Sequence, residues 1–296
     1  MTARNMNGII IVDKPADWTS HDVIAKLRGA LKTKRIGHGG TLDPMATGVL
    51  PVFIGRATRA AEFCENAEKE YIAGLRLGLV TDTQDITGNK LSECEPSITD
   101  KEFTAVIPRF LGAQKQIPPM YSAIKIGGKK LYELARRGVE VERPARDIII
   151  SAINYLGKDG SDYLLQITCS KGAYIRTLCH DIGAELGCGG TLSSLRRTRA
   201  GAFTIGMALT LSEILDSVSA GETGKIIMPV DTIFSEYPAV TLSEEDSRKC
   251  KNGAPFFTGN LPDGRYRFYG PDNEFLSLGN VTSGNTKVIK GFFEPF

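Results

Sequence analysis

The stretch GHGGTLDPMATGVLPVFIGRATR, Gly37 to Arg59, fits neither a core helix nor a plain strand. Glycines at 37, 39 and 40 permit backbone angles and close approaches that a side chain forbids, and Pro44 restricts the residue before it, Asp43. The apolar run Val49 to Ile54 predicts a buried strand that anchors this loop. An acid fixed beside glycine backbone has two readings. Asp before Pro and near Gly is common in ordinary turns, where the carboxylate bonds its own backbone, and on residue types alone this is the plainer one. The other is a catalytic loop with Asp43 as its working group.

Working outward, Gly8 to Val12 predicts a buried strand. Thr19 and Asp22 can then cap a helix that keeps Val23, Ile24, Leu27 and Leu31 on one face. Lys32, Lys34 and Arg35 suit the end of that helix electrostatically, and equally stand where nucleic-acid phosphates would lie beside the loop. Alanines and Phe63 predict a short helix, and Lys69 to Gly78 alternates as a strand with Tyr71, Ala73, Leu75 and Leu77 on one face. Thr81 to Asn89 is a polar turn, and Thr99 with Glu102 caps a helix bearing Phe103, Val106, Ile107 and Phe110. Ile148 to Leu156 and Tyr163 to Cys169 predict a hairpin; Ile175, Leu178, Cys179, Ile182 and Leu186 fall at helical spacing, with Gly187 to stop the helix. His180 is assigned to that helix's surface. The fold class is α+β.

The chain has 296 residues, which predicts one large domain and one small one, and its 42% hydrophobic content can fill a core. Thirty-six Lys and Arg against 34 Asp and Glu leave a formal charge of +2, so any nucleic-acid footprint depends on local clustering. The densest cluster is QIPPMYSAIKIGGKKLYELARRGVEVERPAR, where Lys125, Lys129, Lys130, Arg136, Arg137, Arg143 and Arg146 interleave with Tyr121 and Tyr132. Such a run is ordinarily a solvated face, yet cations mixed with aromatics also suit an RNA backbone. The six cysteines form no CxxC pair and the three histidines offer no metal-ligand spacing, so no metal is expected and the thiols read as free. With no signal peptide and no stretch near the ~20 apolar residues of a membrane span, the expected location is cytoplasmic.

The string GHGGTLDPMATGVLP closely resembles the catalytic motif of TruB-type tRNA pseudouridine synthases, in which the aspartate of GTLDP occupies the nucleophile position. That resemblance makes Asp43 the catalytic candidate. Three more segments agree in order. The strand, Lys14-Pro15 and Thr19-Ser20 are similar to the family's first motif, whose Lys-Pro pair buttresses the active site; Asp17 departs from it, standing where the family has Gly. Tyr71 matches an EY strand motif whose aromatic stacks on the target base. Tyr174 and Arg176 match a YIR motif in which the tyrosine packs under the substrate and the arginine pairs with the aspartate. The resemblance further implies that Leu195 forms an apolar wall and that His38 helps to order the substrate; by pattern alone, Leu195 is a strand leucine, His38 a loop residue and Lys14 a solvated lysine.

The likeness spans roughly residues 8 to 205. It implies a pseudouridine synthase catalytic fold with a central mixed, mainly antiparallel sheet over 1–234, containing a mobile thumb at about 115–146, and a small β-rich PUA-like domain over 235–296. The implied activity is isomerisation of uridine 55 in the T-loop of tRNA after the base flips out. It needs no cofactor, metal or protein partner, and a monomer suffices. One carboxylate is enough, unlike the two of glycosidases, since uracil is not lost and no water is activated. Burial would raise the Asp43 pKa, and Arg176 is expected to reverse this. Two rivals are a non-catalytic RNA binder on the same scaffold and a synthase acting on another RNA, including guide-dependent enzymes, whose long basic tails this chain lacks.

Overall fold

A computed structural model describes residues 6–259 and 261–293. The remaining positions of the expected ranges 1–234 and 235–296 lie outside the described residues. Strand β1 (Gly8–Lys14) leads to helix α1 (Ser20–Ala30), which opens with a full capping box: Asp22 N–H donates to the Thr19 hydroxyl and Thr19 N–H to the Asp22 carboxylate. β2 (Ile36–His38) and β3 (Thr47–Ile54) flank the glycine-rich loop, and α2 (Ala61–Asn66) follows. β4 (Lys69–Leu77) is the long central strand, and the ribbon of β5 (Leu79–Thr81) and β6 (Lys90–Glu93) carries the polar turn at its tip.

A second capping box, Thr99 with Glu102, starts α3 (Asp100–Val106), and β7 (Gly112–Gln116) follows. The basic segment holds a small ribbon, β8 (Lys125–Ile126) and β9 (Lys129–Lys130), and one short helix, α4 (Leu131–Ala135). The expected hairpin forms as β10 (Arg146–Asp159) and β11 (Asp162–Cys169), longer than its apolar core. A bulge between Tyr155 and Gly157, with Gly157 at φ 108°, lets the ladder continue to a tight turn at Gly160. α5 (Ile175–Glu185) is the expected helix. Beyond it come β12 (Gly190–Ala200), β13 (Phe203–Thr204), β14 (Leu209–Thr210), α6 (Leu211–Ser219) and α7 (Thr223–Ile226).

The central sheet has the order β14-β1-β3-β12-β4-β11-β10-β7, with β2 on β3 and β13 on β12. Among the described residues its parallel pairs are β1 with β14 and β3 with β12, so the sheet is mixed and mainly antiparallel, in an α+β fold as expected. Around β1 and β3 the sheet is covered on both faces, whereas β10 leaves Ile149 and Leu156 exposed on one. Along β1, Ile10 and Val12 pack with Val23 and Leu27 of α1 and Ile214 of α6, while Ile9 and Ile11 face the opposite cluster with Phe53. A second sheet, of β15 (Ala239–Thr241), β16 (Phe256–Phe257), β17 (Gly264–Tyr269), β18 (Phe275–Thr282) and β19 (Asn285–Gly291), makes the C-terminal part β-rich, with one α-helix among its described residues, α8 (Glu244–Lys251).

Candidate active site

The Asp43 loop is fixed from below by buried polar groups. Leu42 is held twice by Ser20, its N–H donating to Ser20 Oγ at 2.9 Å and its carbonyl accepting from it at 3.2 Å. The Pro44 carbonyl accepts from the Asp17 N–H at 2.9 Å and from Lys14 Nζ at 3.0 Å. Asp17 adopts φ 64°, the left-handed turn that a family glycine would take, so the first motif keeps its geometry. Lys14 is fully buried rather than solvated, because its ammonium also donates to the carbonyls of Pro15 and Trp18, at 2.8 and 2.6 Å. Burial lowers its pKa to about 8, against the pull of Asp43.

Arg176 is buried at the start of α5 and gathers the site around its guanidinium. Its Nε lies 2.9 Å from Asp43 Oδ2, and Nη2 donates to Asp43 Oδ1 at 3.3 Å. On the far side, Nη1 reaches Asp85 Oδ2 at 3.4 Å and donates to the Thr83 carbonyl, while Nη2 donates to the Tyr121 carbonyl. One cation is therefore shared between two carboxylates. Asp43 has 36% of its side-chain surface open to the cleft, while Asp85 is 7% exposed. The expectation that Arg176 reverses the effect of burial is corrected here: burial, reinforced by Asp85, holds the Asp43 carboxyl above its usual 3.8 in spite of Arg176 and Lys14.

These groups open into a cleft of about 1040 Å³ whose walls include Asp43, Tyr71, Tyr174, Arg176, Leu195 and His38. The β4–β12 ladder places Leu195 opposite Ala73 and Arg197 opposite Tyr71, so the aromatic, the apolar wall and a second arginine share one strand pair. Tyr174 is set by Gln116, which accepts from its N–H at 2.8 Å and donates to its carbonyl at 3.0 Å, linking the end of β7 to the site. His38 is half-buried, its Nδ1 has no hydrogen-bond partner, and burial together with Arg197 lowers its pKa, favouring the neutral ring. Six of the seven expected site residues thus line one cleft, and Lys14 stands behind its floor. His180 is corrected from helix surface to half-buried, with Nδ1 enclosed.

The N-terminal domain of the TruB family of pseudouridylate synthases matches residues 28–175, and a tRNA pseudouridylate synthase B C-terminal domain matches 176–235. The chain belongs to the TruB family. A tRNA pseudouridine synthase B of Clostridium kluyveri is 41% identical over 292 residues, 97% of this chain and 100% of that protein. One from Syntrophomonas wolfei is 42% identical over 290 residues, 96% of each. Among solved structures, a Cbf5–Nop10–Gar1 complex matches with TM-score 0.74 at 27% identity, and an H/ACA RNP bound to a substrate RNA containing 2′-deoxyuridine with 0.73 at 26%. Each likeness covers 97% of this chain and 85% of the other. This TruB-family chain is a pseudouridine synthase, an isomerase.

Two residues of the site carried no sequence expectation. Asp85 lay within a polar turn, but the Thr83 and Thr87 hydroxyls both donate to its Oδ1, at 2.8 and 2.5 Å, and thereby aim its other oxygen at Arg176. Threonines two residues to either side of the acid were the available signal. Arg197 is one cation among several in LRRTR, and no local signal singles it out.

Proposed function

We propose that this chain converts uridine 55 of the tRNA T-loop to pseudouridine, with Asp43 as the catalytic carboxylate. The observation that carries this reading is a partly open carboxylate gripped by a buried guanidinium on the wall of an enclosed cleft. The tRNA target and its position rest on the GTLDP, EY and YIR motifs and on relatives called tRNA pseudouridine synthase B. The reaction cleaves ribose C1′ from uracil N1, turns the base and rejoins it through C5, so that atoms are neither gained nor lost. Ionised Asp43 either adds to the base or the ribose, or stabilises the electron-poor sugar, and Arg176 orients the carboxylate. A stacked uridine cannot reach Asp43, so the base flips into the cleft at a cost of a few kcal/mol, which stacking on Tyr71 offsets. Leu195 closes the apolar side, His38 orders the substrate, and Tyr174 supports it.

The protein works as a cytoplasmic monomer on the T-arm, without cofactor, and its C-terminal sheet serves as a PUA-like RNA-binding domain. Incubation with a bare tRNA transcript, followed by base-resolution mapping, should place pseudouridine at position 55 alone. Conversion elsewhere, or only when a second RNA is added, would instead favour a different target. Asp43→Asn should abolish conversion while leaving tRNA binding largely intact; full activity in that variant would remove Asp43 from the mechanism.

A further inference from the structure

Arg197 is the largest of the fully buried side chains, 1% exposed, in the middle of β12. Its Nε donates to the Val49 carbonyl at 2.7 Å, and its Nη atoms to the carbonyls of Gly40 at 3.1 Å and Thr41 at 3.5 Å. Backbone presses on it closely: a Cβ at Gly48 would stand 2.2 Å from the Arg197 carbonyl oxygen, and Gly48 holds φ 100°. Arg197 stands directly opposite Tyr71 across the β4–β12 ladder, and both side chains line the same cleft as Asp43. Among the described residues no carboxylate pairs with it. Carbonyl dipoles satisfy its donors, yet they leave a buried positive charge without a counter-ion, which costs stability wherever nothing compensates it.

A counter-charge arises during the proposed reaction, on which this inference rests. When the glycosidic bond breaks, its electron pair stays on N1, so uracil departs as an anion while C1′ becomes electron-poor. C5 then bonds to C1′, the C5 proton leaves and N1 gains a proton. Asp43 is itself negative and can serve only the sugar. We infer that Arg197, acting through the Tyr71 hydroxyl beneath the base, stabilises the negative charge on uracil as the glycosidic bond breaks. It is a positioning residue in this role, since Tyr71 stands between it and the base, and its charge is already in place when the anion forms.

The test varies the leaving group. A fluorine at C5 withdraws electrons and stabilises the uracil anion by itself, so transcripts carrying uridine or 5-fluorouridine at the target differ in their need for Arg197. Single-turnover loss of the original nucleoside is followed for wild type, Arg197→Met and Arg197→Gln at saturating protein. Glutamine places an N–H where Nε stands, so it keeps the bond to the Val49 carbonyl without the charge. Arg197→Met should slow cleavage of uridine by about a hundredfold to a thousandfold, the scale for removing one preorganised donor, and slow 5-fluorouridine about tenfold less. Arg197→Gln should show the same inequality, with tRNA affinity unchanged, and it decides the matter if Arg197→Met does not fold. Equal slowing of both substrates would overturn the inference and leave Arg197 a structural clamp of Gly40 and Thr41. A wild-type protein that leaves both transcripts unchanged would instead sink the proposed function.

Discussion

At the scale of single residues, the site is governed by how many acids share Arg176. Asp43 and Asp85 approach the guanidinium from opposite sides, and burial of Asp43 favours its neutral form. In the proposed reaction only ionised Asp43 serves, so activity should rise with pH through a midpoint above the ordinary 3.8. Replacing Asp85 by Asn removes a like charge and leaves the guanidinium to Asp43, so the acid limb of kcat/KM should move to lower pH. The same change removes the rear anchor of Arg176, and kcat at neutral pH should fall by about tenfold to a hundredfold, the scale of a small misplacement. An acid limb that stays in place would show that Asp85 only shapes the turn. The flanking threonines hint at an ordered acid, but nothing in TDTQD itself tells that Asp85 is buried against Arg176. Asp85 is buried because its segment meets Leu192, more than a hundred residues away, through the Ile86 N–H and the Asp85–Leu192 bridge. Lys14 and Arg197 escaped for a related reason: each is satisfied by carbonyls of the distant Asp43 loop, while a lone cation in a sequence reads as solvated.

At the scale of elements, local signals succeeded where the chain satisfies itself. The Thr19–Asp22 and Thr99–Glu102 boxes and the stop at Gly187 depend on neighbours within four residues, and the sequence carried all of them. The thumb differs. Gln116 ties its entry to Tyr174 and the Tyr121 carbonyl ties it to Arg176, but Arg136 to Glu140, after α4, are exposed. The N–H groups of Arg136 to Val139 bond back to the Tyr132, Leu134 and Ala135 carbonyls of the short helix α4, so local opening there should require little free energy. Trypsin should therefore cut the free protein first after Arg136 or Arg137. Saturating tRNA should slow that cleavage several-fold if the basic, tyrosine-bearing segment closes over RNA. Equal cleavage rates with and without tRNA would count against a thumb that orders on binding.

At the scale of the whole molecule, the β-rich character of the C-terminal part was expected, but its attachment was not. The break expected near Ser235 falls beside Phe234, which is 2% exposed and packs edge-on against Phe63 with centroids 5.0 Å apart. The same ring meets Phe275 of β18 at 6.1 Å and Phe292 at 5.7 Å. Arg59 donates to the Gly291 carbonyl and Lys290 pairs with Glu62 at 2.5 Å, so polar contacts surround the aromatic cluster. Pattern reading cannot see this, because each phenylalanine looks like a core residue of its own segment. A core shared in this way couples the two sheets in unfolding, and removing one side of it leaves a cavity in the other. Phe234→Ala should cost about 3–5 kcal/mol in urea denaturation monitored by circular dichroism, with the two sheets still melting as one transition. A chain ending at residue 238 should lose stability on the same scale, because Phe234 and Phe63 would face water. Two separate transitions in the full chain, or a truncated chain as stable as the whole, would mean that the C-terminal sheet is only tethered to the catalytic body and cannot hold bound RNA in a fixed relation to the Asp43 cleft.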